Sequence, residues 1–190
     1  MNKLIHYLFF LTILIIFRSV PGLADQEKTI AAAQNPSASN YLLGPGDKIK
    51  IQVFGEPEMG LEGKLSDAGT IVHPLLGEIH AANHSIGELA DAIVQELKGR
   101  YLVDPKVSIN ILEYRDYYIT GEVQKPGAYH YEPGLTVHKA ISVAGGFTQR
   151  ASRTSIYLVK DKDPTRTEQE VDLNTPIGPG DILTVEESFF

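Results

Sequence analysis

Apolar and polar residues alternate along the segment 48–53, where Ile49, Ile51 and Val53 are separated by Lys and Gln. This period of two predicts a strand with one buried and one solvated face. The turn-forming stretch 66–70 predicts a hairpin turn leading into a strand at 71–74, and a second turn at 76–78 continues the meander. The folded part of the chain is therefore expected to open with short antiparallel strands.

A helix is predicted next, because Ser85 and Glu88 have the spacing of a capping box and the apolar residues after them recur at helical intervals. That apolar face runs from Ile86 to Tyr101. Alternation with a period of two returns at 107–111 and predicts a further strand. Residues 41–113 are thus expected to form one unit of strands, helix and strand.

The second predicted unit, residues 114–190, begins with a strand at 117–120, a turn at 124–127 and a returning strand at 128–131. Thr136 is placed to cap a short helix that the two glycines at 145–146 end. Both units are predicted to be α+β, two small sheet-plus-helix units, and the second is β-grasp-like because a small sheet embraces one helix. Its remaining strands are predicted at 156–160, 171–173 and 182–185.

The phrase Gly-Pro-Gly-Asp occurs twice, once before the first predicted strand and once before the last. Proline presets one backbone angle, glycine permits positive φ, and aspartate accepts hydrogen bonds from nearby backbone N–H groups. We therefore expect two matching structural turns, in which both aspartates serve turn chemistry. Their residues are Gly44, Pro45, Gly46 and Asp47 in the first copy and Gly178, Pro179, Gly180 and Asp181 in the second.

The first 24 residues have the features of a secretory signal peptide: Lys3, an apolar run, and small residues before a cleavage site between Ala24 and Asp25. The run is shorter than the roughly 20 residues of a membrane-spanning helix, and an uncleaved anchor is the alternative interpretation. Residues 25–40, rich in Ala, Gln, Asn and Ser, are expected to be a flexible leader. Because the chain contains no cysteine, we expect neither a disulfide nor a lipoprotein.

Composition and motifs argue against several classes of function. Residues 25–190 retain all 24 acidic residues and 15 of the 17 basic ones, for a net charge of −9, which disfavours nucleic acid as a partner. The sequence contains no nucleophile elbow, His-Glu-x-x-His helix or phosphate-binding glycine loop, so we expect no enzymatic activity and no cofactor. His80 and His84 have i, i+4 spacing and His73 precedes them, but all three lie before the helix, so we expect no metal ligands among them.

Aromatic residues are frequent at the strand positions of the second unit. An exposed tyrosine ring can stack on the apolar face of a sugar or contact another subunit, whereas tyrosines in strands are more often half-buried sheet residues. Both interpretations stay open from the sequence. On the first interpretation these side chains are exposed. The candidate glycan or interface contacts are Tyr114, Tyr117, Tyr118, Tyr129, Tyr131, Phe189 and Phe190.

The order and spacing of several segments resemble the bacterial polysaccharide biosynthesis and export protein family. Residues 41–58, residues 67–77 and the Asp104-Pro105 dipeptide after the helix are similar to the N-terminal export domain of that family. Three later segments, 121–127, 134–136 and 144–148, resemble the soluble-ligand-binding β-grasp (SLBB) domain that follows it. The resemblance spans nearly all of residues 41–185.

The resemblance implies a ring-forming auxiliary protein through which capsule, exopolysaccharide or similar glycan chains leave the cell. Longer family members carry further β-grasp repeats and a C-terminal helix that builds an outer-membrane pore. Because this sequence ends after one β-grasp unit, we expect a separate outer-membrane β-barrel export protein to provide the pore. An inner-membrane polysaccharide co-polymerase is expected below it.

The resemblance thus implies four partners: the polysaccharide chain, further copies of this protein in a homo-oligomer, and the two membrane proteins. The expected location is the periplasm, peripheral to the outer membrane. The alternative function is that of a monomeric periplasmic module that binds a glycan or a small ligand in its β-grasp unit.

Overall fold

The computed structural model describes residues 41–188, which contain two sheets, one separate hairpin and two helices. The α+β fold class is confirmed. The predicted cleavage site at Ala24 and Asp25, the leader, and the candidate contacts Phe189 and Phe190 lie outside the described residues. Within residues 41–188, no helix has the length and apolar character needed to cross a bilayer.

The first unit consists of five strands, one 3-10 turn and one helix. Its elements are β1 (Lys48–Val53), the 3-10 turn (Pro57–Met59), β2 (Leu61–Lys64), β3 (Thr70–His73), β4 (Gly77–His80), α1 (Ile86–Leu97) and β5 (Val107–Glu113). Strand β1 lies at the centre of an antiparallel sheet with the order β2-β1-β5, while β3 and β4 form the separate hairpin. Every second residue of β1 from Ile49 to Val53 is buried, as the alternation predicts.

Helix α1 begins with the predicted capping box. The Ser85 hydroxyl accepts a hydrogen bond from the backbone N–H of Glu88, and the Glu88 carboxylate accepts one from the N–H of Ser85 at 2.8 Å. This pair satisfies two N–H groups that have no partner within the helix. The buried face of α1 joins the same hydrophobic core as β1 and consists of Leu89, Ile93 and Leu97.

One prediction for the first unit is wrong. Residues 66–70 form a turn, but not a hairpin turn, because β2 pairs with β1 and β3 pairs with β4. The carbonyl of Gly69 accepts hydrogen bonds from the N–H groups of Ala81 and Ala82, at 2.9 Å each. A Cβ atom at Gly69 would lie 2.2 Å from the Cβ of Ala82. This close backbone contact, which requires glycine, directs the chain away from the sheet.

The second unit consists of five strands and one short helix. Its elements are β6 (Tyr117–Gly121), β7 (Gly127–Tyr129), α2 (Val137–Val143), β8 (Ala151–Val159), β9 (Glu168–Glu170) and β10 (Ile182–Glu187). The strand order is β7-β6-β10-β8-β9, and the central strand β10 runs parallel to β6 and antiparallel to β8. A mixed sheet with one helix agrees with the β-grasp prediction.

The core of the second unit lies between α2 and the sheet. Thr136 caps α2, and Gly145 and Gly146 follow it with positive φ, as the sequence predicts. Strand β9 comes earlier than the predicted strand at 171–173, because Val171 and Leu173 turn inward and pack against the core. The buried residues of α2 are Val137, Ala140 and Ile141.

Candidate functional site

The two Gly-Pro-Gly-Asp turns share one hydrogen-bonding scheme. Asp47 and Asp181 are both buried. Oδ2 of Asp47 accepts the N–H of Gly44 at 2.8 Å, and Oδ2 of Asp181 accepts the N–H of Gly178 at 2.7 Å. The glycine before each aspartate has a φ of 92° in the first turn and 83° in the second, which L side chains rarely adopt. Both turns are therefore closed by the carboxylate of their own aspartate.

Each buried carboxylate also binds a cation and a distant backbone N–H. Oδ2 of Asp47 lies 3.1 Å from Nη1 of Arg115, and its Oδ1 accepts the backbone N–H of Arg115 at 2.8 Å. Oδ2 of Asp181 lies 2.9 Å from Nζ of Lys160, and its Oδ1 accepts the backbone N–H of Asp161 at 3.0 Å. Both oxygens of each carboxylate are engaged, so the two aspartates hold backbone in place.

Arg115 connects the two turns. Its Nη2 donates to Oδ2 of Asp161 at 2.8 Å, and the backbone N–H of Asp161 in turn binds Asp181. We call Asp47, Arg115, Lys160, Asp161 and Asp181 the junction network. Burial opposes the charge of Arg115, but the neighbouring Tyr41, Asp47 and Asp161 hold its pKa above the ordinary value. The network thus connects the turn before β1 in the first sheet to the turn before β10 in the second sheet.

Three tyrosine rings pack edge to face beside the junction network. The Tyr114 ring lies between Tyr41 and Tyr131, with centroid distances of 5.0 and 5.4 Å. Oη of Tyr41 donates to Oδ2 of Asp47 at 2.6 Å and accepts from Nη1 of Arg115 at 2.7 Å. Burial, together with the hydrogen bond to Asp47, raises the pKa of Tyr41 far above its ordinary value of 10.0. Tyr41 therefore acts as a neutral hydrogen-bonding group.

The predicted exposure of Tyr117 is wrong. Its side chain is 1% exposed and belongs to the core of the second unit, whereas Tyr118 beside it is 47% exposed. Successive residues of a strand point to opposite faces, so only one of the two can face solvent. The Tyr117 ring stacks on that of half-buried Tyr129 with centroids 6.0 Å apart, and burial raises the pKa of Tyr117 to about 12. Among the members of the predicted aromatic set that the structure describes, Tyr118 is thus the exposed one.

The three histidines lie around the β3-β4 hairpin. His73 is buried, and its Nδ1 accepts two backbone N–H groups of the following turn at 3.2 and 3.3 Å. Its proton therefore lies on Nε2, which donates to the carbonyl of Met59 at 2.9 Å. The rings of His80 and His84 pack edge to face, 6.3 Å apart. In the described part of the chain, no group of three or more acidic and histidine side chains is arranged to hold a metal ion.

The surface of the described residues contains two clefts beside the junction network and one groove at the far end of β1. Two clefts, of about 450 and 340 Å³, border the junction network, and Pro45, Arg115 and Asp161 line both of them. A groove of about 700 Å³ lies at the opposite end of β1, where Phe54 follows the strand.

Sequence reasoning missed the exposed apolar residues at that end of the first sheet. Phe54 is 84% exposed and Val103 is 90% exposed. Val53 pairs with Val107, so the loops that carry these two side chains lie at the same end of the sheet. The signal was available, because Phe54 is an aromatic residue at a position that the alternation assigns to the polar face.

Comparison with known proteins identifies both units. A family model described as polysaccharide biosynthesis/export protein matches residues 35–112, and a model of the SLBB domain matches residues 117–168. The two matches follow each other in the order of the two sheets.

Two curated relatives share parts of the chain. The exopolysaccharide production protein ExoF of Rhizobium meliloti (strain 1021) is 35% identical over a segment that covers 57% of this chain and 29% of the relative. The polysialic acid transport protein KpsD of Escherichia coli is 27% identical over 47% of this chain and 16% of the relative. The chain thus matches less than a third of the length of these relatives. With both domain models matched in sequence order, the chain belongs to the polysaccharide biosynthesis/export protein family.

Proposed function

We propose that this protein is a non-enzymatic, oligomeric component of a polysaccharide export apparatus, in which a ring of copies passes the polymer to a separate outer-membrane pore. The observation that carries the proposal is the pair of family matches on consecutive sheet-plus-helix units. The names of the relatives add support, since one is an exopolysaccharide production protein and another a polysialic acid transport protein.

The geometry of the junction network supports a mechanical role for the two Gly-Pro-Gly-Asp turns of this chain. Asp47 and Asp181 are saturated by backbone N–H groups and by Arg115 and Lys160. A carboxylate held in this way orders backbone and is poorly placed to take a proton from a substrate. The network would keep the two sheets in a fixed relation, which a segment of a ring requires.

Subunit contact is proposed at the end of the first sheet that carries Phe54 and Val103. Large apolar side chains with such exposure mark protein interfaces, and aromatic residues are enriched at their centres. A second copy of this chain is the proposed occupant, since a ring needs a repeated contact between identical subunits. The outer-membrane export protein and the inner-membrane co-polymerase would bind other faces of the ring.

A periplasmic location is proposed from the signal-peptide features of residues 1–24. Cleavage between Ala24 and Asp25 would release the folded part from the membrane. Mass spectrometry of the protein purified from the periplasmic fraction should find Asp25 at the amino terminus. Detection of intact Met1 in the membrane fraction instead would contradict this part of the proposal.

Gene deletion tests the function directly. Secreted polysaccharide should disappear while cell-associated polymer persists, and a plasmid copy should restore secretion. Phe54→Asp should fail to restore it and should lower the mass measured by light scattering, whereas the control Phe54→Tyr should behave as the unchanged protein. Normal secretion in the deletion strain would refute the export role, and a monomer that still supports secretion would favour the binding-module alternative.

A further inference from the structure

The smaller cleft beside the junction network opens between the two Gly-Pro-Gly-Asp turns. We call this opening of about 340 Å³ the turn cleft, and its size falls in the range of about 300–1,000 Å³ usual for small-ligand sites. Gly46 and Gly180 line it, and a Cβ atom at Gly180 would lie 2.5 Å from Cγ of Asp161. Glycine at position 180 therefore allows Asp161 to lie against the second turn, and the two turns bring residues of both sheets to the wall of the cleft.

Three cations, Lys64, Arg115 and Arg166, and three carboxylates, Glu113, Asp116 and Asp161, line the turn cleft. Lys64 and Arg166 line it, and neither forms an ion pair among the residues that the structure describes. The carboxylates of the cleft, in contrast, are already engaged. Glu113 lies 3.5 Å from Lys48, Asp161 lies 2.8 Å from Arg115, and Asp116 shares a hydrogen bond of 2.7 Å with Nδ1 of His130. Lys64 and Arg166 are therefore the cations of this opening that stay available to contact an anionic ligand.

Arg166 is held in place by a strained and well-bonded loop. Its φ is 49°, in the left-handed region that residues other than glycine seldom occupy. The side chain of Asp163 accepts hydrogen bonds from the hydroxyl of Thr165 and from the N–H groups of Thr165 at 2.9 Å and Thr167 at 3.0 Å. The hydroxyl bond first, and then the two N–H bonds, lower the pKa of Asp163. Strain of this kind persists only where surrounding bonds enforce it, and it concentrates at ligand sites. The loop thus fixes the point from which Arg166 reaches the cleft.

An aromatic surface completes the turn cleft. Tyr118 lines it and is 47% exposed, so its ring is available for stacking against a sugar. We propose that the turn cleft binds one carboxylate-bearing sugar unit of an acidic polysaccharide. Lys64 and Arg166 contact the carboxylate, and Tyr118 contacts the apolar face of the sugar ring. This inference rests on the proposed export function, because it specifies the polymer as acidic.

Calorimetric titration of the purified protein tests the proposal. The probes are tetragalacturonate, which carries four carboxylates, maltotetraose as the neutral control of equal length, and citrate as an anion without a sugar ring. We expect saturable binding of tetragalacturonate that weakens as salt rises, because exposed charges are screened. We expect much weaker binding of maltotetraose and of citrate.

Variants locate the binding. Arg166→Asn removes the charge with a residue that tolerates positive φ, and Lys64→Gln removes the second cation. Each should weaken tetragalacturonate binding about tenfold, as expected for loss of one charge-assisted contact. Tyr118→Ala should weaken it, and Tyr118→Phe should retain it. Lys98→Gln, an exposed cation that does not line the turn cleft, is the matched control and should leave affinity unchanged.

Each alternative result would overturn the proposal. Equal binding of maltotetraose would exclude recognition of the carboxylate, and equal binding of citrate would exclude recognition of a sugar. An equal loss in Lys98→Gln would indicate diffuse attraction. Absence of binding at millimolar tetragalacturonate would remove the site altogether. The deletion experiment is independent of these outcomes: export that requires the protein without any such binding would leave the proposed function standing and refute only the acidic-sugar site.

Discussion

The two Gly-Pro-Gly-Asp turns are nearly identical in backbone bonding and differ in the cation that neutralises each aspartate. Arg115, which binds Asp47, has an 11% exposed side chain and contacts Asp161 and Tyr41 as well. Lys160, which binds Asp181, has a side chain that is 37% exposed. The local sequence is the same, so the difference arises from where each turn sits in the fold.

The motif determines how each turn is closed, and the surrounding fold determines which cation binds the aspartate. The motif closes the turn with a carboxylate in both places. In the first turn the Arg115 guanidinium binds Tyr41, Asp47 and Asp161. In the second turn the Lys160 ammonium binds Asp181 and the carbonyl of Pro176. The planar guanidinium fork fits the first set of acceptors, and a lysine ammonium cannot bind them with the same geometry. Because the first ion pair is more deeply buried, its disruption should cost more.

Removal of the first aspartate should therefore have the largest effect. Asp47→Ala removes one of the two carboxylates that bind the 11% exposed Arg115 side chain and leaves several buried N–H groups without an acceptor, so it should lower the free energy of unfolding by about 3–5 kcal/mol. Asp181→Ala should lower it by about 1–3 kcal/mol, because solvent can hydrate the partly exposed Lys160. Urea unfolding followed by circular dichroism measures both. Equal losses for the two variants would show that burial of the cation does not govern the cost.

Substitution of the glycine before each aspartate should destabilise the second turn more than the first, which is the reverse of the order expected for the aspartates. At Gly180 a Cβ atom would lie 2.5 Å from Asp161 Cγ, whereas at Gly46 its nearest neighbour would be Arg115 Cβ at 3.3 Å. Both positions impose positive φ, so each substitution should cost on the order of 1–3 kcal/mol, with Gly180→Ala at the upper end. The same urea unfolding experiment gives the order. Gly77→Ala is a control with positive φ and open space around the position, and it isolates the backbone contribution.

The sequence allowed most elements of the fold to be predicted, because local patterns control them. The alternation in β1, the Ser85–Glu88 capping box and the glycines after α2 all act within a few residues. The junction network was not predictable in this way, since Arg115 and Asp47 are 68 residues apart and Arg115 and Asp161 are 46 apart. Tyr117 was misjudged because its burial depends on which face of β6 meets α2. The domain boundary at 113–114 and the aromatic contact residues outside the core stay predictions.

Exchange of the two cations tests the role of the guanidinium group. Arg115→Lys keeps a positive charge near Asp47 but cannot reach Asp161 and Tyr41 in the same geometry, so we expect a loss of about 1–2 kcal/mol. Lys160→Arg should change the free energy of unfolding by less than about 0.5 kcal/mol, because the site is open to solvent. Both values come from urea unfolding at neutral pH. A tolerated Arg115→Lys change would mean that the link to Asp161 contributes little.

The smallest expected effect is a loss of stability at alkaline pH that comes from Tyr41, whose hydroxyl binds Asp47 in the first turn. The folded-state pKa of Tyr41 is raised above 10.0, first by burial and then by the hydrogen bond to Asp47. The unfolded chain therefore releases this proton at lower pH than the folded protein does. Stability from this group is complete below pH 10 and falls as pH rises above it. Tyr117, whose pKa is raised to about 12, adds a loss of the same sign between pH 10 and 12.

The contribution of Tyr41 is isolated by comparing how much the free energy of unfolding falls between pH 9 and pH 11 in each protein, instead of comparing its absolute values. Tyr41→Phe lowers stability at every pH, because Asp47 loses a donor, but it should reduce the decline between pH 9 and pH 11 by about 1 kcal/mol. Tyr118→Phe, at an exposed position of β6, should leave that decline unchanged. Unfolding measured at both pH values for the three proteins gives the comparison. Among the described residues, no tyrosine hydroxyl donates a hydrogen bond to Asp181 in the second turn. If Tyr41→Phe leaves the decline in stability unaltered, the first turn is no more sensitive to alkaline pH than the second.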